Sequence, residues 1–140
     1  MDKNCTQYID FLFDDEIKNL LETDKKSFVS VIPKGIQGVD ELMQVYFDKL
    51  NLASYFGGNW DALNEILIDF DWVNAKNITI IHQDIPRLLL VDKNILIKVL
   101  GRAVKKMREG HKTSILPTGK HKLQVIFPKS CQEKLEKGQL

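Results

Sequence analysis

Three short apolar runs set the architecture of this chain: SFVSVIP at 27–33, NITIIHQDI at 77–85 and KLQVIFP at 122–128. Each is rich in β-branched or aromatic residues and ends in or just before a proline, the pattern of a short buried strand. The long stretches between them have a helical period instead. Strands joined through helices cannot close as hairpins, so they pair in parallel through right-handed crossovers. The order strand, helix, helix, strand, helix, strand predicts a three-layer α/β protein. Its centre is a small three-stranded parallel sheet flanked by helices. The 140 residues suit one domain with a modest core.

The helices can be placed from their apolar faces. Val39, Leu42, Met43, Tyr46 and Leu50 share one side of the first, which Asn51 breaks. Trp60, Leu63, Leu67 and Phe70, with Ile66 beside them, form the stripe of the second, with Asn59 or Asp61 as N-cap. The third is expected from a cap at Asp92 to about Glu109, with Leu96, Val99, Leu100, Ala103 and Met107 facing the core and Gly110 as the stop. The domain so defined covers 27–130. Residues 1–26 are an extension whose apolar positions 9, 12, 13, 17, 20 and 21 favour a helix. Residues 131–140 are a charged tail expected to fray.

Charge is sorted along the chain although the total is only +1. The run YFGGNWDALNEILIDFDWV, 55–73, contains Asp61, Glu65, Asp69 and Asp71 and no Lys or Arg, so the bases concentrate elsewhere. Asp61, Glu65 and Asp69 are four apart and stack on one helical face. Each such like-charge pair costs a helix about 0.2–0.5 kcal/mol. Two readings of this stripe stand: a solvated or internally paired face, and a docking surface for a strongly cationic partner.

Other chemistry has less to stand on. Gly57 and Gly58 before a helix suit a turn better than a phosphate cradle, because Asp61 would repel the phosphate. His82, His111 and His121 lack metal-ligand spacing, and His82 reads as a packed or hydrogen-bonded strand residue. Asp61 and Glu65, on adjacent turns of one helix, do not straddle a substrate as paired catalytic carboxylates must. No nucleophile motif stands beside a histidine, so neither an enzyme nor a cofactor or metal is expected. Nine Lys or Arg residues between 91 and 122 leave a nucleic-acid-binding face as the alternative function, although that segment has no aromatic stacking platform.

The N-terminal MDKNCTQYIDFLFDDEI lacks the pattern of a signal peptide, and no apolar run reaches the roughly 18 residues of a membrane span. A cytoplasmic protein with no membrane contact is expected. Cys5 and Cys131 read as free thiols in a reducing compartment, with a terminus-to-terminus disulfide as the alternative.

The run Tyr55, Phe56, Gly57, Gly58, Asn59, Trp60, Asp61, Ala62, Leu63 resembles the barstar family, bacterial inhibitors of secreted ribonucleases. In that family an aromatic–Gly–x–Asn–x–Asp–Ala–Leu run opens an acidic helix, and the element order from Ser27 to Pro128 also fits. The resemblance implies a cytoplasmic immunity protein, monomeric when free. It would plug the basic active site of a ribonuclease toxin, its carboxylates taking the places of RNA phosphates. By position, Tyr55 matches the aromatic residue that packs on the enzyme. Asn59 and Asp61 match residues of the binding edge, and Glu65 matches the central acid of the phosphate pocket. Phe56, Gly57, Trp60, Asn64 and Asp69 complete the expected contact surface, Trp60 with a core role as its alternative. Two positions depart from the pattern. Asn64 stands where an aromatic residue precedes the central acid, and Lys105 stands where a further acid lies late in the last long helix. A different nuclease, or a toxin of another kind, therefore stays open as the partner.

Overall fold

The computed structural model describes residues 11–13, 27–52, 57–69, 73, 75–109 and 122–136. The three expected strands are β2 (Ser27–Ile32), β3 (Asn77–His82) and β4 (Lys122–Phe127). They pair in parallel, Ser27 opposite Asn77 and Asn77 opposite Lys122. A fourth strand, β1 (Phe11–Phe13), lies parallel to β4 on its other side, giving the order β1-β4-β3-β2. This corrects the expectation of a helical extension at these residues; the rest of 1–26 lies outside the described residues. FLF is a poor helix seed and a good strand. The outer edge of β4 supplies the hydrogen-bonding groups it needs. Phe11 is buried, its ring 5.6 Å from that of Phe127, and it abuts Gly101 on the neighbouring helix.

The helices are α1 (Val39–Lys49), α2 (Trp60–Asp69) and α3 (Leu90–Glu109). The first packs on β2, the third on β4, and α2 lies on α3. Every residue of β3 from Ile78 to His82 is buried, as a parallel strand covered on both faces must be. Leu42, Tyr46, Leu50, Leu63, Leu67, Ile78, Ile80, Leu100 and Phe127 are wholly enclosed. Each fully buried Leu or Ile contributes about 1.5–3 kcal/mol. Asn51, with φ 53°, takes the left-handed conformation that ends α1.

Three boundaries differ from expectation. The strand placed at 77–85 stops at His82, because Asp84 turns the chain and its carboxylate accepts the Ile85 N–H at 2.7 Å. Helix α3 starts at Leu90, so Asp92 lies inside its first turn rather than capping it. Of the tail expected to fray, 131–136 instead continue a 3-10 turn (Lys129–Cys131) into a short helix, α4 (Gln132–Glu136), with Cys131 and Leu135 in the core; 137–140 lie outside the described residues. Burying Leu135 outweighs the charge of its neighbours. Cys131 is a free thiol, and Cys5 lies outside the described residues.

One polar pair sits inside the core. The Tyr46 hydroxyl and His82 Nε2 are 2.6 Å apart, and the imidazole stacks on Phe127 with centroids 4.4 Å apart. Burial raises the phenol well above its ordinary value, so the hydroxyl keeps its proton, and the imidazole tautomer sets which of the two groups donates. Burial lowers the imidazole to about 3, with the backbone of Ile126 opposing weakly. The sequence expectation of a packed, hydrogen-bonded His82 therefore holds.

Candidate functional site

The start of α2 is built by local chemistry. Gly58 has φ 69°, a conformation an L-residue reaches only with strain, and it delivers the chain into the helix. Asn59 is the N-cap: its Oδ1 accepts the Ala62 N–H at 2.8 Å, and its carbonyl accepts the Leu63 N–H at 3.0 Å. Of the two capping residues the sequence offered, Asn59 does the capping and Asp61 is left in the first turn. An acid there is favoured by the helix dipole. Replacing Asn59 with alanine is expected to lower stability by about 1 kcal/mol, measurable as a lower urea midpoint at unchanged slope.

The helix splits cleanly into two faces. Leu63 and Leu67 point inward and are fully buried, with Ile66 packed against the same core. Asp61 and Glu65 are exposed on the other side, and Asn64 is half-buried between. Among the described residues no ion pair involves Asp61 or Glu65. Asp61 and Glu65 are therefore exposed rather than paired with the described bases of α3, although the two helices are in contact. Gly57 is exposed beside them. A groove of about 290 Å³ runs from Gly57 and Gly58 to α1, lined also by Asp40, Met43, Gln44 and Phe47.

Trp60 takes the core role that stood as its alternative. It is half-buried and packs against the core, and its indole N–H donates to Asp92 Oδ1 at 3.3 Å. That bond ties the first turn of α2 to the first turn of α3. Sequence reading assigned Asp92 to a cap and missed this tether, since nothing in the spacing of 60 and 92 signals it. Tyr55 and Phe56 lie outside the described residues, as does the side chain of Asp69. The expected site is thus brought together at Gly57, Asn59, Trp60, Asp61, Asn64 and Glu65.

A second charged surface lies on α3. Lys98, Arg102, Lys105 and Lys106 are exposed. Positions 98, 102 and 105 share one face, and Lys105 is on the surface as the sequence implied. Among the described residues no group of three His, Cys, Asp or Glu side chains is placed to hold a metal ion. Nor is any helix there long and apolar enough to cross a membrane.

No curated protein matches the chain. A family model does, over residues 27–116, and its description reads Barstar (barnase inhibitor). The matched stretch holds β2, α1, α2, β3 and α3 and the whole described part of the acidic site. On that match, which spans more than half of the sequence, and on the parallel sheet with its flanking helices, the chain belongs to the barstar family.

Proposed function

We propose that the protein is an inhibitor that binds and blocks the basic active site of a secreted ribonuclease, as a cytoplasmic immunity protein. The observation that carries this reading is the pair Asp61 and Glu65, exposed and unpaired among the described residues on a helix that offers them no base. Such crowding weakens the free helix and has a use only when a cationic surface arrives. A ribonuclease cleft that binds phosphates has that character, and the family's description names one such enzyme, barnase. The carboxylates steer the encounter and fix the register of the complex, which raises the association rate more than the raw affinity. Asn59, Gly57 and the outer edge of Trp60 border the acids on the same approach, with Tyr55, Phe56, Asn64 and Asp69 completing the proposed contact.

The test is inhibition of RNA cleavage by barnase and a panel of other basic secreted ribonucleases. Stoichiometric inhibition of at least one enzyme is expected, with an association rate that falls steeply as salt rises. A protein that inhibits none of them is not what we propose. A second reading rests on the exposed stripe of Lys98, Arg102 and Lys105: a nucleic-acid-binding face on α3. Salt-sensitive RNA binding that is lost on Arg102→Ala and Lys105→Ala, without ribonuclease inhibition, favours it.

A further inference from the structure

The sheet has two faces, and the described helices account for one of them. Ile78 and Ile80 belong to the core cluster, and His82 reaches Tyr46 of α1. Each described helix, α1 to α4, puts buried side chains into that cluster. Alternation along β3 turns Thr79 and Ile81 to the opposite face. The register carries that face across the sheet: Val31 lies opposite Ile81 and Ile81 opposite Ile126, with Val29, Thr79 and Gln124 in the row behind. Ile81 and Ile126 are 0% and 1% exposed in the single chain, yet neither belongs to the core cluster. Two enclosed isoleucines on this face need a cover from another part of the same chain.

Connectivity selects that part. Strands β1 and β2 are parallel members of one sheet and stand at its opposite edges, in the order β1-β4-β3-β2. The chain between Phe13 and Ser27 must therefore cross the sheet. The steps from β2 to β3 and from β3 to β4 run in one direction and place α1, α2 and α3 on one face. The step from β1 to β2 runs in the reverse direction, and a crossover of the same right hand then lies on the other face. Its ends are fixed by register: Phe13 is level with Phe127, and Ser27 with Asn77 and Lys122. Three strand spacings across and about five residues back make a diagonal of roughly 22 Å. Residues 14–26 wound as a helix span about 20 Å.

We infer that the second face of the sheet is the docking surface for residues 14–26, which cross it as an amphipathic helix with Ile17, Leu20 and Leu21 seated on Ile81 and Ile126. The sequence DDEIKNLLETDKK suits that role. Its apolar positions 17, 20 and 21 form one helical stripe. Asp14, Asp15 and Glu16 stand where a helix favours acids, and Lys25 and Lys26 where it favours bases. Other undescribed stretches fit less well. Residues 110–121 lead into Lys122, at the far end of β4 from Ile126, and 137–140 offer one apolar side chain, Leu140. The extension, which lies outside the family match at 27–116, thus supplies both an edge strand and the third layer of the domain. This inference is independent of the functional reading above.

The test is methyl NMR on the full-length wild-type chain, with urea unfolding of variants beside it. Nuclear Overhauser contacts from the Ile81 and Ile126 methyls to those of Ile17, Leu20 or Leu21, within one molecule, are the expected result. Contacts from Ile81 and Ile126 to 1–10, 110–121 or 137–140 in place of these overturn the inference. Contacts to 14–26 that appear only between differently labelled copies overturn it in favour of exchange with a second molecule. In the unfolding series, Leu20→Ala and Leu21→Ala are each expected to raise the unfolding constant about thirtyfold or more. Asn19→Ala, on the side of the helix away from the stripe, is expected to change it by no more than about twofold. Leucine variants that unfold like wild type overturn the inference as well.

Discussion

Glu65→Ala and Asp61→Ala are each expected to weaken the ribonuclease complex by about 3–5 kcal/mol, on the order of a hundred- to several-thousandfold in Kd. The size comes from the partner rather than from the acid itself. Removing a carboxylate from a closed interface leaves an arginine or lysine of the enzyme buried without its counter-charge, and that desolvation is not repaid. The free protein should scarcely register either change, because both side chains are exposed and unpaired among the described residues. Glu65→Ala relieves two like-charge neighbours, Asp61 and Asp69, a gain of about 0.4–1 kcal/mol. Asp61→Ala relieves one, about 0.2–0.5 kcal/mol, and loses an acid from the first helical turn, worth about 0.3–1 kcal/mol, so its net effect is close to zero or slightly unfavourable. Titration calorimetry against the inhibited enzyme, with thermal melts of the free variants, separates the two effects. Glu65→Gln preserves shape and removes charge; if it and the alanine variants bind like wild type, α2 is not the binding surface.

Acid should unfold this protein earlier than its carboxylates alone require. His82 is buried neutral, with its pKa lowered from the ordinary 6.5 to about 3 by desolvation. The unfolded chain takes up a proton near 6.5 and the folded one does not, so the unfolded state binds more protons as pH falls. The stability tied to His82 is complete above about pH 6.5 and is lost progressively between there and about pH 3. The full loss is about 4–5 kcal/mol, a large share of what a domain of this size has to spare. Stacking on Phe127 does not reverse the sign, because an imidazolium there would have lost its water. Urea unfolding measured at intervals from pH 7 to pH 4 should show a steady decline that begins above pH 5, before carboxylates titrate. His82→Gln keeps an acceptor near Tyr46 and should flatten that first part of the curve. A wild-type profile level between pH 6.5 and pH 5 contradicts the argument.

How much could be read in advance depended on whether the cause lay close in the chain. The parallel sheet and its three helices followed from period and from turn residues, which are local. The capping side chain at Asn59 and the inward faces of Leu63 and Leu67 were legible for the same reason. Phe11–Phe13 was misread because its strand exists only through pairing with Val125–Phe127, more than a hundred residues away. Residues 131–136 differ from expectation for the same reason: charge dominates the tail's composition, while Leu135 finds a place in a core that the tail does not reveal. At the acidic site, exposure of Asp61 and Glu65 could be expected from the helical stripe. The Trp60–Asp92 tether could not, since it depends on how α2 and α3 lie together.

The sheet order carries a practical consequence. Family likeness ends at residue 116, yet β4 begins at Lys122 and stands between β3 and β1. A fragment trimmed to the recognisable stretch would keep every described acid of α2 and lose two strands out of four. The flank of β3 would then lie bare, with a row of unsatisfied amides ready to zip onto any neighbouring chain. What identifies this molecule and what lets it stay folded are different lengths of polypeptide, and only the longer one is fit for the bench.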